Sequence, residues 1–130
     1  MANNVKNTAY ADDENIGKIQ ISEQVVSVIA GIAATETDGV DSLIGNITTE
    51  IVSKLGISSL SKGVKIKMLD DTVFVYLTLN IKYGHSVPEV CGNVQEKVSS
   101  AIETMTGLSV AEVNVMVSDV VVDKNRNNAF

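Results

Sequence analysis

A single long helix with clear start and stop signals constrains this chain more than any other feature. Ser86 and Glu89 have the spacing of a capping box, in which each side chain binds a free backbone N–H at the start of a helix. Pro88 fits the first turn, where amides have no partner inside the helix, and Gly107 suits the left-handed conformation that ends a helix. Apolar residues recur at helical spacing between these signals. The helix is therefore expected to pack through one broad face, formed by Val87, Val90, Cys91, Val94, Val98, Ala101, Ile102 and Met105.

The segments on either side of this helix alternate with the period of strands. Apolar residues over 64–68 alternate with lysines, and Asp70-Asp71 turns the chain into a second alternating run over 73–82. Valines alternate again over 113–122. Each strand has one apolar face and one mixed face, which is typical of an antiparallel sheet covered by helices on one side.

The first half of the chain supplies the remaining elements. Residues 16–21 alternate as a short strand, and residues 22–38 have the cap and spacing of a helix, with Gly39 at its C′ position. A short apolar strand over 40–44 and a brief helix over 48–56 follow. The order β-α-β-α-β-β-α-β predicts an α+β fold, a two-layer sandwich with a mixed, mainly antiparallel sheet and helices packed on one face.

Composition indicates one globular domain. The chain has 130 residues, of which 45% are hydrophobic and 20% charged. Residues 1–15 are expected to form a mobile polar tail, residues 16–122 the domain, and residues 123–130 a second polar tail. No leader or spanning segment is evident, so we expect a cytoplasmic protein without direct membrane insertion. A net charge of -6 disfavours binding to nucleic acid.

The residue clusters that catalysis and metal binding need are missing from the sequence. His85 and Cys91 are the single histidine and cysteine, and no acid is placed to orient them as a catalytic pair. Cys91 is expected to be a buried small hydrophobe. A zinc site would need further ligands, and no phosphate-binding glycine loop occurs. We therefore expect no catalytic residue, metal or cofactor, and a binding or scaffold protein instead of an enzyme.

The uncovered face of the predicted sheet is the expected contact surface. It combines lysines with large apolar side chains, which is a typical composition for a binding surface, although an ordinary solvated sheet face has the same pattern. The candidate residues are Lys65, Lys67, Phe74, Tyr76, Lys82 and Met116.

Short motifs spread along the whole predicted domain suggest a relationship to a known family. They are Gly17-Lys18-Ile19 with Ile21, Val28-Ile29-Ala30-Gly31-Ile32-Ala33, Gly39-Val40, Gly63-Val64, Tyr83-Gly84 followed by Val87-Pro88, and Val113-Asn114-Val115. In this order and spacing they resemble the alkaline shock protein family of Gram-positive bacteria, also called the Gls envelope stress response family. The resemblance covers about Gly17 to Val122.

The resemblance implies a small cytoplasmic, non-enzymatic protein of cell-envelope homeostasis. Members of that family self-associate in some cases, and some are held beneath the membrane by a separate membrane-anchored partner. The implied role is a scaffold or adaptor that forms homo-oligomers and is recruited to the inner face of the membrane. Because some members are encoded beside fatty-acid functions, the alternative is a regulatory module that binds a fatty-acid synthesis enzyme. No catalytic residue is transferred, since the family has no established active site.

Overall fold

The computed structural model describes residues 8–14, 16–45 and 63–122, which form two helices and six strands. The brief helix expected over 48–56 and the polar tail expected over 123–130 lie outside the described residues. The strands are β1 (Thr8–Glu14), β2 (Gly17–Ser22), β3 (Val40–Leu43), β4 (Val64–Leu69), β5 (Thr72–Lys82) and β6 (Ser109–Val121), and the helices are α1 (Glu23–Thr35) and α2 (Val87–Thr106).

Strand β5 is the centre of the main sheet. On one side β6 runs parallel to it along its whole length, from the Thr72–Ser109 pair to the Lys82–Val121 pair. On the other side β4 and β3 are both antiparallel to β5, with β4 beside its first half and β3 beside its end. Thr78 lies where β4 gives way to β3, since it donates to Gly63 O at 3.0 Å and accepts from Ile44 N at 3.1 Å. The predicted mixed, mainly antiparallel sheet is confirmed.

Both helices cover one face of this sheet and enclose the core with it. Every second residue of β5 is buried against them, as alternation of the side chains requires. Helix α2 also connects β5 to the parallel β6, so these three elements form a crossover unit of the kind that parallel strands need. The fully buried large side chains are Val26, Leu43, Val73, Val75, Leu77, Leu79, Ile81, Val94, Val98, Ile102 and Leu108.

Helix α2 begins at the predicted N-cap, Ser86, and ends at the predicted stop, Gly107, but the described contacts include only the Ser86 half of the capping box. Glu89 N donates to Ser86 Oγ at 3.4 Å, and Gly107 has φ 78° while its N–H donates to Glu103 O at 2.9 Å. The expected burial of Met105 is wrong, because its side chain is 69% exposed. The buried row is Val90, Val94, Val98, Ile102 and Thr106.

A regular geometric drift explains the error at Met105. Successive buried residues of α2 are four apart, and four residues advance about 40° beyond one full turn. The buried row therefore winds around the helix, and by the last turn position 105 has rotated out to solvent. Cys91 lies beside the same row and is half-buried, so it is less buried than the sequence predicted.

Helix α1 begins at the predicted cap but ends earlier than expected. Val25 N donates to Ser22 Oγ at 3.2 Å, and the last helical residue is Thr35, not a residue near Asp38. Gly39 follows in the left-handed region with φ 94°. A Cβ added there would lie 2.5 Å from Val90 Cγ2, so the turn after α1 packs directly on α2.

The expected tail over residues 1–15 is wrong for residues 8–14, which form β1. This strand pairs antiparallel with β2, with a register irregularity between Tyr10 and Asp12. The two strands form a separate two-stranded sheet. Pairing through backbone groups leaves no mark in an acidic sequence without apolar alternation, which explains the missed strand. Residues 1–7 lie outside the described part of the chain.

Candidate interaction face

The face of the main sheet opposite the helices carries most of the predicted contact residues. Strand register places Lys67 beside Phe74 and Lys65 beside Tyr76, with Met116 next to Thr78 on the other side of β5. Tyr76 is 43% exposed and Met116 is 66% exposed. We call this surface the open face and define it by Lys65, Lys67, Leu69, Phe74, Tyr76, Glu112, Asn114 and Met116.

Lys82 does not belong to this group. It has the same facing along β5 as Phe74 and Tyr76, but it lies eight residues from Phe74, which is about 26 Å along a strand. The surface between them is interrupted by Asn80, whose Nδ2 donates to Ser42 Oγ at 3.2 Å. Both of these polar side chains are buried. That the six candidates, Lys82 included, bind a partner stays a prediction.

Three open-face residues were absent from the predicted set. Leu69 is 61% exposed at the end of β4, and Glu112 and Asn114 lie on β6 beside Phe74 and Tyr76. The valine alternation of β6, followed back one residue from Val113, was the signal that places Glu112 outward. Asn114 Nδ2 donates to Glu112 Oε1 at 3.2 Å and to Val75 O at 3.4 Å, which fixes the position of the carboxylate on the face.

The open face therefore has an ordered distribution of charge. Lys65 and Lys67 lie on β4, the large apolar side chains lie mainly on the central β5, and Glu112 lies on β6. Within the described ranges neither lysine side chain has an ion-pair or hydrogen-bond partner. The result is a surface with cations along one border, aromatic rings in the middle and a carboxylate along the opposite border.

The outer edge of β6 is the second exposed part of the sheet. In the described residues β6 pairs only with β5, so its other side is an open strand edge. Two side chains of α2 bind backbone groups there: Gln95 Nε2 donates to Val113 O at 3.0 Å, and Glu103 Oε2 accepts from Val110 N at 3.0 Å. Side chains that occupy edge groups hinder pairing with another strand. The edge is therefore partly protected.

His85 and Cys91 are not arranged as an activated pair. His85 is exposed, and its ring packs on the turn after α1, where a Cβ on Gly39 would lie 2.9 Å from His85 Nδ1. Burial raises the pKa of the Cys91 thiol. Because the thiolate is the nucleophile, a raised pKa makes Cys91 less reactive than an ordinary cysteine.

The remaining acidic residues form no recognisable metal centre in the part of the chain that the structure describes. No group of three or more histidine, cysteine, aspartate or glutamate side chains is placed to hold an ion there. Asp70 and Asp71 form the tight turn between β4 and β5, and Asp70 adopts the left-handed conformation with φ 57°. Aspartate tolerates this conformation better than most residues, so the pair has the predicted turn role.

A shallow open groove lies on the helix layer, between the turn after α1 and the outer side of α2. It is lined by Asp38, Asn93, Lys97 and Met105 among others, and Lys97 Nζ donates to Glu36 O at 3.4 Å. Among the described residues, no buried side-chain polar atom lacks a hydrogen-bond partner. None of the helices in the described ranges has the length and apolar character needed to cross a membrane.

Comparisons with known proteins agree on one family. A model of the ASP23 family, described as having a cell envelope-related function, matches residues 11–122. The uncharacterized protein YqhY of Bacillus subtilis is 38% identical over 104 residues, which cover 80% of this chain and 77% of that protein. The uncharacterized protein YloU of the same organism is 32% identical over 109 residues, covering 80% and 88%.

A third relative has a descriptive name. The stress response regulator gls24 homolog of Streptococcus pyogenes serotype M3 is 29% identical over 118 residues, which cover 89% of this chain and 66% of that protein. All three matches extend over most of the α+β domain.

Proposed function

We propose, on the premise that this chain belongs to the alkaline shock protein (ASP23) family with its cell envelope-related function, that it is a non-enzymatic scaffold. In this role it self-associates and binds protein partners through the open face. The observation that carries the proposal is the grouping, on one sheet face, of exposed large apolar side chains with two lysines that have no ion-pair partner among the described residues.

The composition of the open face supports contact with protein. Tyr76, Phe74 and Met116 are of the types enriched in the centres of protein interfaces, where they supply large contact areas. The lysines lie at the border of the patch, where charged groups remain solvated and steer encounter more than they add affinity. A patch with an apolar centre and a charged border is the usual anatomy of such a surface.

The proposal extends to place and partners. We expect the chain to work in the cytoplasm at the inner face of the membrane, and to be brought there by a membrane-anchored protein. Binding assays test this directly: the protein should bind membrane vesicles prepared from the cells, should not bind such vesicles when they have been treated with protease and the protease inactivated before the protein is added, and should not bind protein-free lipid vesicles. Direct binding to such vesicles would contradict recruitment through a protein.

The scaffold role is tested by altering the open face without unfolding the domain. The test variant combines Tyr76→Ser with Met116→Ser. The matched control combines Val25→Ser with Met105→Ser, which removes two exposed apolar side chains from the helix layer instead. Circular dichroism establishes that both variants remain folded.

The readouts are crosslinking in living cells and rescue of envelope-stress tolerance in a deletion strain. Wild type and the control variant should form crosslinked complexes and restore tolerance, and the open-face variant should do neither. Equal rescue and equal crosslinking by all three proteins would refute the proposal.

A further inference from the structure

We infer that the open face recognises a second copy of itself, with two sheets packed face to face about a two-fold axis that runs along β5. The inference rests on the proposed self-association and specifies which surface mediates it. It follows from the order of side chains across the three strands.

One row of the open face is self-complementary. Lys67 on β4, Phe74 on β5 and Glu112 on β6 occupy the same level of the sheet. The cation and the carboxylate are therefore one strand away from β5 on opposite sides, about 5 Å each. Phe74 lies between them.

The two-fold axis is parallel to β5 and lies midway between the two sheets. A rotation of 180° about it exchanges the β4 side and the β6 side of the sheet, and each residue keeps its level along the strands. Lys67 of one copy then lies above Glu112 of the second copy, and Glu112 lies above its Lys67. Phe74 lies above Phe74 of the second copy. Packed sheets are about 10 Å apart, and extended lysine and glutamate side chains together span that gap. Two ion pairs thus flank one aromatic contact.

The next row fits the same arrangement. Lys65, Tyr76 and Asn114 share a level, so rotation places Lys65 opposite the Asn114 amide oxygen of the second copy and Tyr76 opposite itself. No like charges meet in either row. The hydrogen bond from Asn114 to Glu112 holds the carboxylate in place before contact, which lowers the entropy lost on association.

The size of the face predicts a weak dimer. Three strands about 5 Å apart and some six residues long give a footprint of about 300 Å² in the plane of the sheet. Stable interfaces bury about 800 Å² on each partner, and smaller ones are transient. The dimer is therefore expected to dissociate readily at micromolar concentrations.

Charge reversal in the full chain tests the pairing. Lys67→Glu places two contacts between carboxylates in the dimer, and Glu112→Lys places two contacts between lysines. The double variant restores both ion pairs, with the carboxylate on β4 and the cation on β6. Lys97→Glu is the control, because it changes net charge by the same amount as Lys67→Glu but lies on the helix layer. Sedimentation equilibrium measures the dimer dissociation constant of each protein, and circular dichroism establishes folding.

Lys67→Glu and Glu112→Lys should each raise the dissociation constant about tenfold, and the double variant should return it to within about threefold of wild type. Failure of the double variant to recover, or an equal effect of Lys97→Glu, would overturn the inference. In that case wild type would still self-associate and the scaffold proposal would stand. A wild type that stays monomeric at millimolar concentration would overturn both.

Crosslinking tests the position of the axis independently. In a Cys91→Ser background, Tyr76→Cys lies on the axis and should crosslink to itself with a short bis-maleimide. Lys67→Cys and Glu112→Cys lie off the axis, so each alone should crosslink poorly and the two mixed together should crosslink well. Efficient self-crosslinking of Lys67→Cys would rule out this axis.

Discussion

Two neighbouring residues in the last turn of α2 provide a sharp test of the packing. Ile102 is fully buried and Met105 is 69% exposed, although the sequence pattern assigns both to the same apolar face. We predict that Ile102→Ala strongly destabilises the domain and that Met105→Ala leaves it nearly unchanged.

The expected magnitudes follow from burial. Ile102→Ala removes three buried carbon atoms, worth about 0.8 kcal/mol each in transfer free energy, and leaves a cavity in a row of packed side chains. The loss in unfolding free energy should be about 3 to 4 kcal/mol, within the usual range for such changes. Met105→Ala removes mostly solvated atoms and replaces methionine with a better helix former, so its effect should be below about 1 kcal/mol.

Urea unfolding followed by circular dichroism measures both effects. With an m-value of about 1 to 3 kcal/mol per molar urea, the Ile102→Ala midpoint should fall by at least about 1 M while the Met105→Ala midpoint barely moves. The protein is kept dilute so that self-association does not contribute. Similar shifts for the two variants would show that α2 is rotated about its axis relative to the structure described above.

Three further substitutions, at Gly92, Gly39 and Cys91, test how the surroundings of each residue affect the stability of the domain. Gly92→Ala should stabilise the domain by about 1 kcal/mol, seen as a higher Tm, because a Cβ there meets no atom within 4 Å and alanine favours the helix; a lower Tm would contradict an open site. Gly39→Ala should cost about 2 to 4 kcal/mol in urea unfolding, since the backbone has φ 94° and the Cβ would collide with Val90; a neutral result would mean that the turn relaxes freely. Burial raises the pKa of the Cys91 thiol, so with rising pH this thiol ionises first in the unfolded chain. The contribution of the protonated thiol to stability is therefore present below the ordinary pKa of 9.0 and should be lost as the pH rises above it. Cys91→Ala should flatten that alkaline loss, and an unchanged pH profile would refute the assignment.

Features set by neighbouring residues were predictable from the sequence. The turn at Asp70-Asp71 joins two alternating runs, and the cap at Ser86 and stop at Gly107 lie within one turn of the helix ends they define. Each signal acts over three or four residues, so no knowledge of the remaining chain is needed.

Features set by contacts between distant segments were not predictable. β1 pairs with β2 through backbone groups that every residue has, and Gly39 is constrained by Val90, fifty-one positions away in the chain. Met105 faces solvent because the buried row of α2 drifts around the helix toward its end. These outcomes depend on how elements pack, which local spacing does not encode.

The open face also has features that the sequence predicts and features that it does not. The outward positions of Lys65, Lys67 and Tyr76 follow from alternation within a single strand. The alignment of Lys67, Phe74 and Glu112 in one row requires the pairing register of β4 and β6 on β5. A sequence without strand register therefore indicates which residues face outward, but not which of them oppose one another in a dimer.

Charge also explains why a second copy would meet the open face in preference to the edge of β6. The chain carries a net charge of -6, so two copies repel unless their acidic surfaces are kept apart by about a Debye length, 8 to 10 Å at ordinary ionic strength. Charged residues of β6 are confined to Glu112 and Asp119, and antiparallel pairing of two β6 edges would bring four carboxylates together without a cation on either strand. Face-to-face packing instead sets each Glu112 against the Lys67 of the other copy.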